Sequence, residues 1–186
     1  MTGTLKYFLD NEDEPGHTIL LLQFENDYHL VYDCTRKLGA INILESIEDY
    51  IEEKGLGPDA LDLNFESFKR KINNRRSMAK SFFMNQKILS GVGNIYSDEI
   101  LFQSKIHPRT KVNNLGDKKI MELYNKMQKV LEKSPDYVKD GSYPDKFLMT
   151  HRSEEENCPV CGEQIKKIKI SSRSSYFCPN CQKEIK

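Results

Sequence analysis

The hydrophobic pattern of residues 1–44 is that of short strands. Apolar runs at residues 17–24 and 28–32 flank the polar segment Glu25-Asn26-Asp27, which is typical of two strands joined by a turn. Residues 40–44 are apolar enough to predict a third strand. A sheet of two or three strands with one buried face needs a second layer of structure to cover that face. Residues 1–44 are therefore too few for an independent β-sandwich.

The pattern changes to a helical one further along the chain. Residues 45–54 predict a short acidic helix, and residues 65–151 are predicted to be mostly helical. Between a start signal at Asp117 and a stop signal at Pro135, apolar residues recur at helical spacing and predict core packing. They are Ile120, Leu123, Tyr124, Met127, Val130 and Leu131. Residues 153–157 form a polar linker to a cysteine-rich C-terminal segment.

Composition places the chain among ordinary globular proteins. It has 186 residues, 38% hydrophobic and 30% charged. No run approaches the roughly 20 apolar residues of a membrane span, and the first residues do not resemble a signal peptide. We therefore expect an intracellular protein without membrane association.

Charge is sorted along the sequence although the net charge is zero. Residues 1–66 hold 4 Lys/Arg and 15 Asp/Glu, a net charge of −11, whereas residues 67–186 hold 24 and 13, a net charge of +11. The asymmetry has two interpretations. It is either a chance excess around an acidic helix, or the signature of a C-terminal part that binds a polyanion such as nucleic acid.

Four of the five cysteines form two pairs near the C-terminus. Cys158-Pro159-Val160-Cys161 and Cys178-Pro179-Asn180-Cys181 are separated by 16 residues, enough for a hairpin that returns the second pair to the first. Four thiolates make a closed tetrahedral site, so the spacing predicts one structural zinc bound by Cys158, Cys161, Cys178 and Cys181. Cys34 stands alone and is predicted to be a buried or half-buried residue with no catalytic role.

Two further features suggest contact with phosphates. Residues 171–175 are predicted to form a hairpin tip that presents Arg173, either as a solvated turn residue or as a side chain that enters a DNA groove. The turn Gly91-Val92-Gly93-Asn94 precedes a helix, and Asn94 is expected to cap it. The open amides of that helix start would then bind a phosphate, although many such turns merely join helices.

These segments resemble one known family. Gly91-Val92-Gly93-Asn94-Ile95-Tyr96-Ser97-Asp98-Glu99-Ile100-Leu101-Phe102, followed by Ile106-His107-Pro108, is similar to the helix–two-turn–helix signature of formamidopyrimidine-DNA glycosylase and endonuclease VIII. The ribbon with Arg173 resembles the zinc finger of that family. Leu56-Gly57-Pro58-Asp59-Ala60-Leu61 and Arg36-Lys37-Leu38-Gly39 resemble further family segments, so the likeness covers essentially the whole chain.

The resemblance implies an α+β, multi-domain fold. Residues 1–62 would form a partial β-sandwich, residues 63–152 a helix–two-turn–helix DNA-binding domain, and residues 153–186 the zinc ribbon. The implied partner of this monomer is double-stranded DNA with a damaged base or an abasic site. Such enzymes evert the damaged nucleotide, because chemistry on a base requires removing it from the stack.

The resemblance also assigns roles to single residues. The expected phosphate contacts are those of Arg76, Lys80, Asn94 and Arg173, and Arg173 would also assist the last elimination step as an auxiliary group. The residues expected to fill the void left by the everted nucleotide are Met1, Arg36 and Leu38. Leu38 stands where the family usually has Phe.

The sequence departs from the family at its start. Members begin with Pro followed by Glu, and the proline amine attacks the sugar to form a Schiff base. This sequence begins Met1-Thr2 and matches the family only from the strand with the wedge methionine, so no primary catalytic residue is expected. Three interpretations are open. The sequence is a fragment or a mis-started reading frame of an active glycosylase/lyase, or it is a short paralogue that binds DNA without cutting it. In the third, the amine of Thr2 acts as the nucleophile in place of the proline amine.

Three functions follow as hypotheses. The leading one is binding of damaged DNA in base excision repair by a catalytically incomplete relative of a DNA glycosylase with abasic-site lyase activity. The alternative is a non-catalytic nucleic-acid-binding zinc protein, either a ribosome-associated RNA binder or a regulatory paralogue. A zinc-ribbon adaptor for other proteins is the third, and it predicts binding that is insensitive to salt.

Overall fold

The computed structural model describes residues 3–9, 14–37 and 39–185, and residues 1, 2, 10–13, 38 and 186 lie outside this description. The chain forms two compact units, the first ending at Ile47 and the second beginning at Glu48. Strands and helices both contribute, so the α+β class is confirmed. No helix in the described ranges is long and apolar enough to cross a membrane.

The first unit is built on a three-stranded antiparallel sheet. Its strands are β1 (Gly3–Leu9), β2 (Thr18–Gln23) and β3 (Tyr28–Cys34), in the spatial order β1-β3-β2. The predicted strands at residues 17–24 and 28–32 correspond to β2 and β3, and Asp27 takes the left-handed conformation (φ 58°) in the turn between them. Phe8, Val31 and Cys34 are buried, as expected for Cys34.

The predicted strand at residues 40–44 is wrong. These residues belong to no strand, and the side chain of Ile43 is fully exposed. The third strand of the sheet is β1, at the beginning of the chain. A run of β-branched and apolar residues favours a strand only where a pairing partner and a buried face are available, so propensity alone misplaced this element.

The second unit contains the helices and a C-terminal hairpin. Its elements are α1 (Ile47–Lys54, which starts at the boundary), α2 (Phe65–Asn73), α3 (Ala79–Met84), α4 (Asn94–Gln103), α5 (Asp117–Lys139), β4 (Lys166–Ile170) and β5 (Arg173–Phe177). Helices α2 to α5 enclose one hydrophobic core that includes Phe68, Phe82, Leu101 and Leu123. The apolar stripe of α5 faces this core, and only Tyr124 in it is half-buried.

Helix α5 extends four residues past Pro135, where the sequence predicted a stop. Proline has no N–H for the carbonyl four residues earlier, which here is that of Leu131. The hydroxyl of Ser134 donates to this carbonyl at 2.9 Å and so replaces the missing partner. The helix therefore continues to Lys139.

A second, smaller core joins the hairpin segment to the helices. Phe102 of α4 and Leu148 pack there with Ile165, Cys158 and Cys178. The helical segment and the cysteine-rich segment therefore lie in one compact unit. The three-domain division at residues 62 and 152 stays a prediction.

Candidate nucleic-acid interface

The loop at Gly57 supports the glycine turn that precedes α4. Gly57 lies so close to the backbone of Ile88 that an added Cβ would be 2.6 Å from its carbonyl carbon. Ser90 donates its N–H to Pro58 O at 2.9 Å, and Ala60 donates to Ser90 O at 3.0 Å. This close approach explains why the loop needs glycine.

Gln86 fixes the conformation of the glycine turn itself. Its side-chain amide donates to Val92 O at 2.9 Å and accepts from the N–H of Gly91 at 3.3 Å. Gly91 has φ +88°, which favours glycine, and a Cβ there would approach the Asp59 carboxylate at 3.2 Å. Gln86 cannot be recognised from the sequence, since a glutamine outside a motif carries no signal of its own.

The start of α4 differs in detail from the expectation. Gly93 is the N-cap residue, and no side chain caps the helix, so the predicted capping by Asn94 is wrong. Asn94 is instead the first helical residue, and its side-chain oxygen is buried without a hydrogen-bond partner. The first N–H groups of a helix have no partner within it, so this turn presents main-chain amides to an anion, and the only donor that the Asn94 side chain can add is its NH2 group.

Lys80 lies beneath this turn rather than on the surface. Its side chain is fully buried, and its ammonium donates to Asn94 O at 2.7 Å, Ser97 Oγ at 2.8 Å and Asp98 Oδ1 at 2.7 Å. Burial lowers the pKa of Lys80, and the charge of Asp98 opposes that shift. All three ammonium donors are used within the protein, so the expected phosphate contact is not available to Lys80 in this conformation.

Asp98 connects α4 to the hairpin segment. Besides Lys80, its fully buried carboxylate accepts hydrogen bonds from Arg152 Nη2 at 2.9 Å, Ser175 Oγ at 2.6 Å and the N–H of Tyr176 at 3.2 Å. The Arg152 guanidinium also lies 5.0 Å from the centre of the Tyr176 ring. Neither Asp98 nor Arg152 was assigned a role from the sequence, because these contacts join residues that are far apart along the chain.

Glu99 is the second buried acid of α4. Its carboxylate accepts from the N–H of Met149 at 2.9 Å and from the Gln103 side chain at 2.8 Å. Burial raises the pKa of Glu99, and these hydrogen bonds oppose the shift. Glu99 thereby holds the segment that leads to Arg152.

The hairpin presents Arg173 beside α3. Ser171 and Ser172 have φ values of 47° and 64°, as in a two-residue type I′ turn, and Arg173 is the exposed first residue of β5. The predicted five-residue tip is therefore wrong, because Ser174 and Ser175 belong to the strand. The Ser171 hydroxyl lies 2.9 Å from that of Ser81 on α3, which fixes the turn against the helices.

The four paired cysteines converge as predicted. Their sulfur atoms lie within 4.8 Å of one another, with separations of 3.5 Å for Cys161–Cys178, 3.5 Å for Cys161–Cys181 and 3.9 Å for Cys158–Cys181. Zn–S bonds of about 2.3 Å in a tetrahedron place the sulfurs about 3.8 Å apart. The cluster fits one structural zinc, and four protein ligands leave no position for a catalytic water.

The thiols do not ionise alike without a cation. Burial raises the pKa of Cys178 to about 11 and raises that of Cys181 as well. A hydrogen bond from the Asn180 side chain, helped by the backbone at Glu163, lowers the pKa of Cys161 to about 6. A divalent metal supplies the charge that keeps all four sulfurs as thiolates.

The other residues predicted to contact DNA, Arg76, Arg36, Met1 and Leu38, lie in different parts of the chain. Arg76 is exposed and lines a groove of the second unit together with residues of the hairpin. Arg36 is an exposed residue of the first unit. Met1 and Leu38 lie outside the described residues.

Comparisons with known proteins match two parts of the second unit. Residues 55–143 match the model of the formamidopyrimidine-DNA glycosylase H2TH domain, and residues 155–183 match the zinc finger found in FPG and IleRS. Formamidopyrimidine-DNA glycosylase from Mycoplasma genitalium is 36% identical over an alignment of 195 positions, gaps included, that covers 96% of this chain and 68% of that protein. The Listeria monocytogenes enzyme is 32% identical over 98% of this chain and 72% of its own.

Solved structures agree with these relatives. The Lactococcus lactis enzyme bound non-covalently to DNA with an abasic site has a TM-score of 0.79 and 28% identity, covering 98% of this chain and 71% of that one. MutM in complex with DNA containing carbocyclic 8-oxo-G has a TM-score of 0.78 and 28% identity, covering 99% and 72%.

Proposed function

Because the chain belongs to the formamidopyrimidine-DNA glycosylase family, we propose that it binds double-stranded DNA with a damaged base or an abasic site during base excision repair. The main support is the buried carboxylate of Asp98. It connects the start of α4, through Lys80, with the strand that carries Arg173. Two phosphate-binding features are thus held at a fixed spacing, as recognition of one distorted duplex requires.

Each predicted residue receives a role in this proposal. Asn94 and the open amides of α4 bind one phosphate, while Arg76 and Arg173 bind neighbouring ones. Lys80 acts as a positioning residue that holds the α4 turn. Met1, Arg36 and Leu38 fill the space left by the everted nucleotide. In this proposal the protein acts on DNA inside the cell.

We further propose that Arg173 serves as an auxiliary group that binds phosphate during strand elimination. A guanidinium stays protonated and is no nucleophile, so Arg173 cannot itself form a Schiff base. Arg173→Ala is therefore expected to weaken binding of abasic-site DNA without changing whether borohydride traps a covalent adduct, and a change in trapping would disprove this part.

Binding itself is tested by competition. Purified protein is titrated with a labelled abasic-site duplex against unlabelled intact duplex and structured RNA. We expect the abasic duplex to bind most tightly and Arg173→Ala to weaken it, with affinity that falls as salt rises. Preference for RNA would refute the proposal. The RNA-binding alternative has no support among the relatives described above.

A further inference from the structure

The second unit carries a basic groove in which only Arg76 has a predicted role. The groove has a volume of about 810 Å³ and lies between the segment before α3, the turn around Val112 and the hairpin. Its cationic side chains are those of Arg76, Arg109, Lys111 and Lys169. Glu184 contributes the one carboxylate of this lining.

The walls of this basic groove are fixed to one another by backbone contacts. Ala79 donates its N–H to Thr110 O at 2.8 Å, and Val112 donates to Ser77 O at 3.0 Å. The C-terminal segment joins them, since the N–H of Ile185 donates to the Thr110 hydroxyl at 3.1 Å. The segments that carry the cations are therefore hydrogen-bonded to one another.

The cations of the basic groove are not ion-paired in the part of the protein that the structure describes. Across the described ranges of the chain, none of the four cationic side chains has a carboxylate within ion-pair distance. The hydroxyl of Ser77, in the groove wall, is also buried without a hydrogen-bond partner. Concave surfaces of one charge sign focus the electric field, so this site favours a polyanion.

The basic groove lies next to the residues proposed to bind DNA, and this position indicates which polyanion it binds. Ser81 and Ser171 line the groove and contact each other. Ser81 follows Lys80, which holds the Asn94 turn, and Ser171 is two residues from Arg173. A strand bound at Asn94 and Arg173 therefore continues towards the groove. We propose that the basic groove binds backbone phosphates of one duplex arm outside the lesion, an inference that rests on the proposed function.

Truncated duplexes test this inference. Abasic-site duplexes are prepared with two long arms, or with either arm cut to a few base pairs, and binding is measured over a range of salt concentrations. We expect wild-type protein to lose affinity when one particular arm is cut, and little when the other is cut. The double variant R109A/K111A should bind the long duplex on the order of tenfold more weakly at about 0.1 M salt, with a salt slope smaller by about 2.

The decisive comparison uses the duplex that lacks the relevant arm. Wild type and R109A/K111A should bind it equally, because the groove then has no phosphates to contact. K118A/K129A is the matched control, since both lysines are exposed on α5 away from the groove, and it should behave as wild type on every duplex. Zinc content and thermal unfolding of each variant confirm that the fold is intact.

Two outcomes would overturn the inference: R109A/K111A binds the long duplex as wild type does, or it weakens binding to all three duplexes by the same factor. The second result would mean that the lost charges weaken DNA binding in general and that the basic groove binds neither duplex arm. Failure of the proposed function looks different, because wild type would then not prefer an abasic site on any duplex and Arg173→Ala would change nothing.

Discussion

Asn94 has a side chain whose role in binding can be separated from folding. The oxygen of its side chain is buried and unpaired, so the protein gains little stability from the amide. The main chain of Asn94, by contrast, accepts from Lys80 and is independent of the side chain. Binding and stability are therefore expected to separate at this position.

Substitution of Asn94 by Ala tests that separation. We expect affinity for the abasic duplex to fall about 10- to 100-fold, because a hydrogen bond to a charged phosphate contributes about 1.5–3 kcal/mol. The free energy of unfolding should stay the same or rise slightly, since an unsatisfied acceptor is removed. Fluorescence anisotropy and urea unfolding measure the two quantities. Asn125→Ala, exposed on α5, is the control, and parallel losses in both assays would contradict the argument.

Glu99 gives a pH dependence with a defined sign. Burial raises its pKa above the usual 4.5, so the folded protein holds this proton more tightly than the unfolded chain does. The stabilisation is complete below pH 4.5 and is lost as the pH rises through the folded-state pKa. Glu99→Gln removes this titration.

Wild type should therefore lose stability relative to Glu99→Gln as the pH is raised from 4.5 to neutrality. Urea unfolding at a series of pH values measures the difference. Glu132→Gln, on the exposed side of α5, corrects for general charge effects. A difference that is constant with pH, or that changes in the opposite direction, would mean that Glu99 is not held as the structure has it.

At the scale of single residues, the sequence identified groups with a motif and missed groups that support them. The four cysteines, Asn94 and Arg173 carry recognisable spacing or context. Gln86, Asp98 and Arg152 act through contacts that only the fold creates, since Asp98 meets Ser175 across 77 positions of sequence. For Lys80 the resemblance implies a phosphate contact, whereas the fold buries the side chain and uses its three donors within the protein.

At the scale of elements, Asp98 is the link between α3, α4 and β5. Asp98→Asn keeps the shape but removes the charge that compensates Lys80 and Arg152. We expect a loss of about 3–5 kcal/mol in unfolding free energy, the usual cost of leaving a buried charge unpaired. Affinity for abasic DNA should fall too, although Asn94 and Arg173 are unchanged, because the hairpin loses its anchor.

A double variant checks the cause of that loss. Lys80→Met with Asp98→Asn removes both buried charges and should recover part of the stability, as apolar replacement of a buried pair often does. Urea unfolding of both single variants and the double variant gives the coupling energy. Strictly additive losses would show that the ion pair is not what connects these elements.

Periodicity predicted the elements well where packing decides the structure. The stripe along α5 is buried as its spacing indicated, because one hydrophobic core determines which face turns inward. The pattern failed where a local contact decides the outcome. The hydroxyl of Ser134 bonds the carbonyl that Pro135 leaves without a partner, and the helix continues beyond the proline. Residues 40–44 are apolar but belong to no strand, because no neighbouring strand pairs with them.

At the scale of the whole molecule, the two units differ in their capacity to fold alone. Every residue of both hydrophobic cores lies at position 60 or beyond, and so do the four cysteines. Among the described residues of the first unit, the buried apolar side chains are those of Phe8, Val31 and Cys34, and Leu5 and Tyr7 of β1 are more than half exposed. The second unit therefore contains what a stable domain requires.

A polypeptide of residues 48–186 is expected to fold by itself, bind one zinc and unfold cooperatively, since it contains both hydrophobic cores and the four paired cysteines. It holds 25 Lys/Arg and 20 Asp/Glu, so it is more basic than the neutral full chain and should bind intact duplex more tightly at low salt. Its preference for abasic over intact DNA should shrink, because Met1, Arg36 and Leu38 are removed. Calorimetry, zinc analysis and paired titrations measure these effects. If the polypeptide keeps the full preference, lesion recognition resides in α4 and the hairpin, and the void-filling roles given to the first unit are wrong.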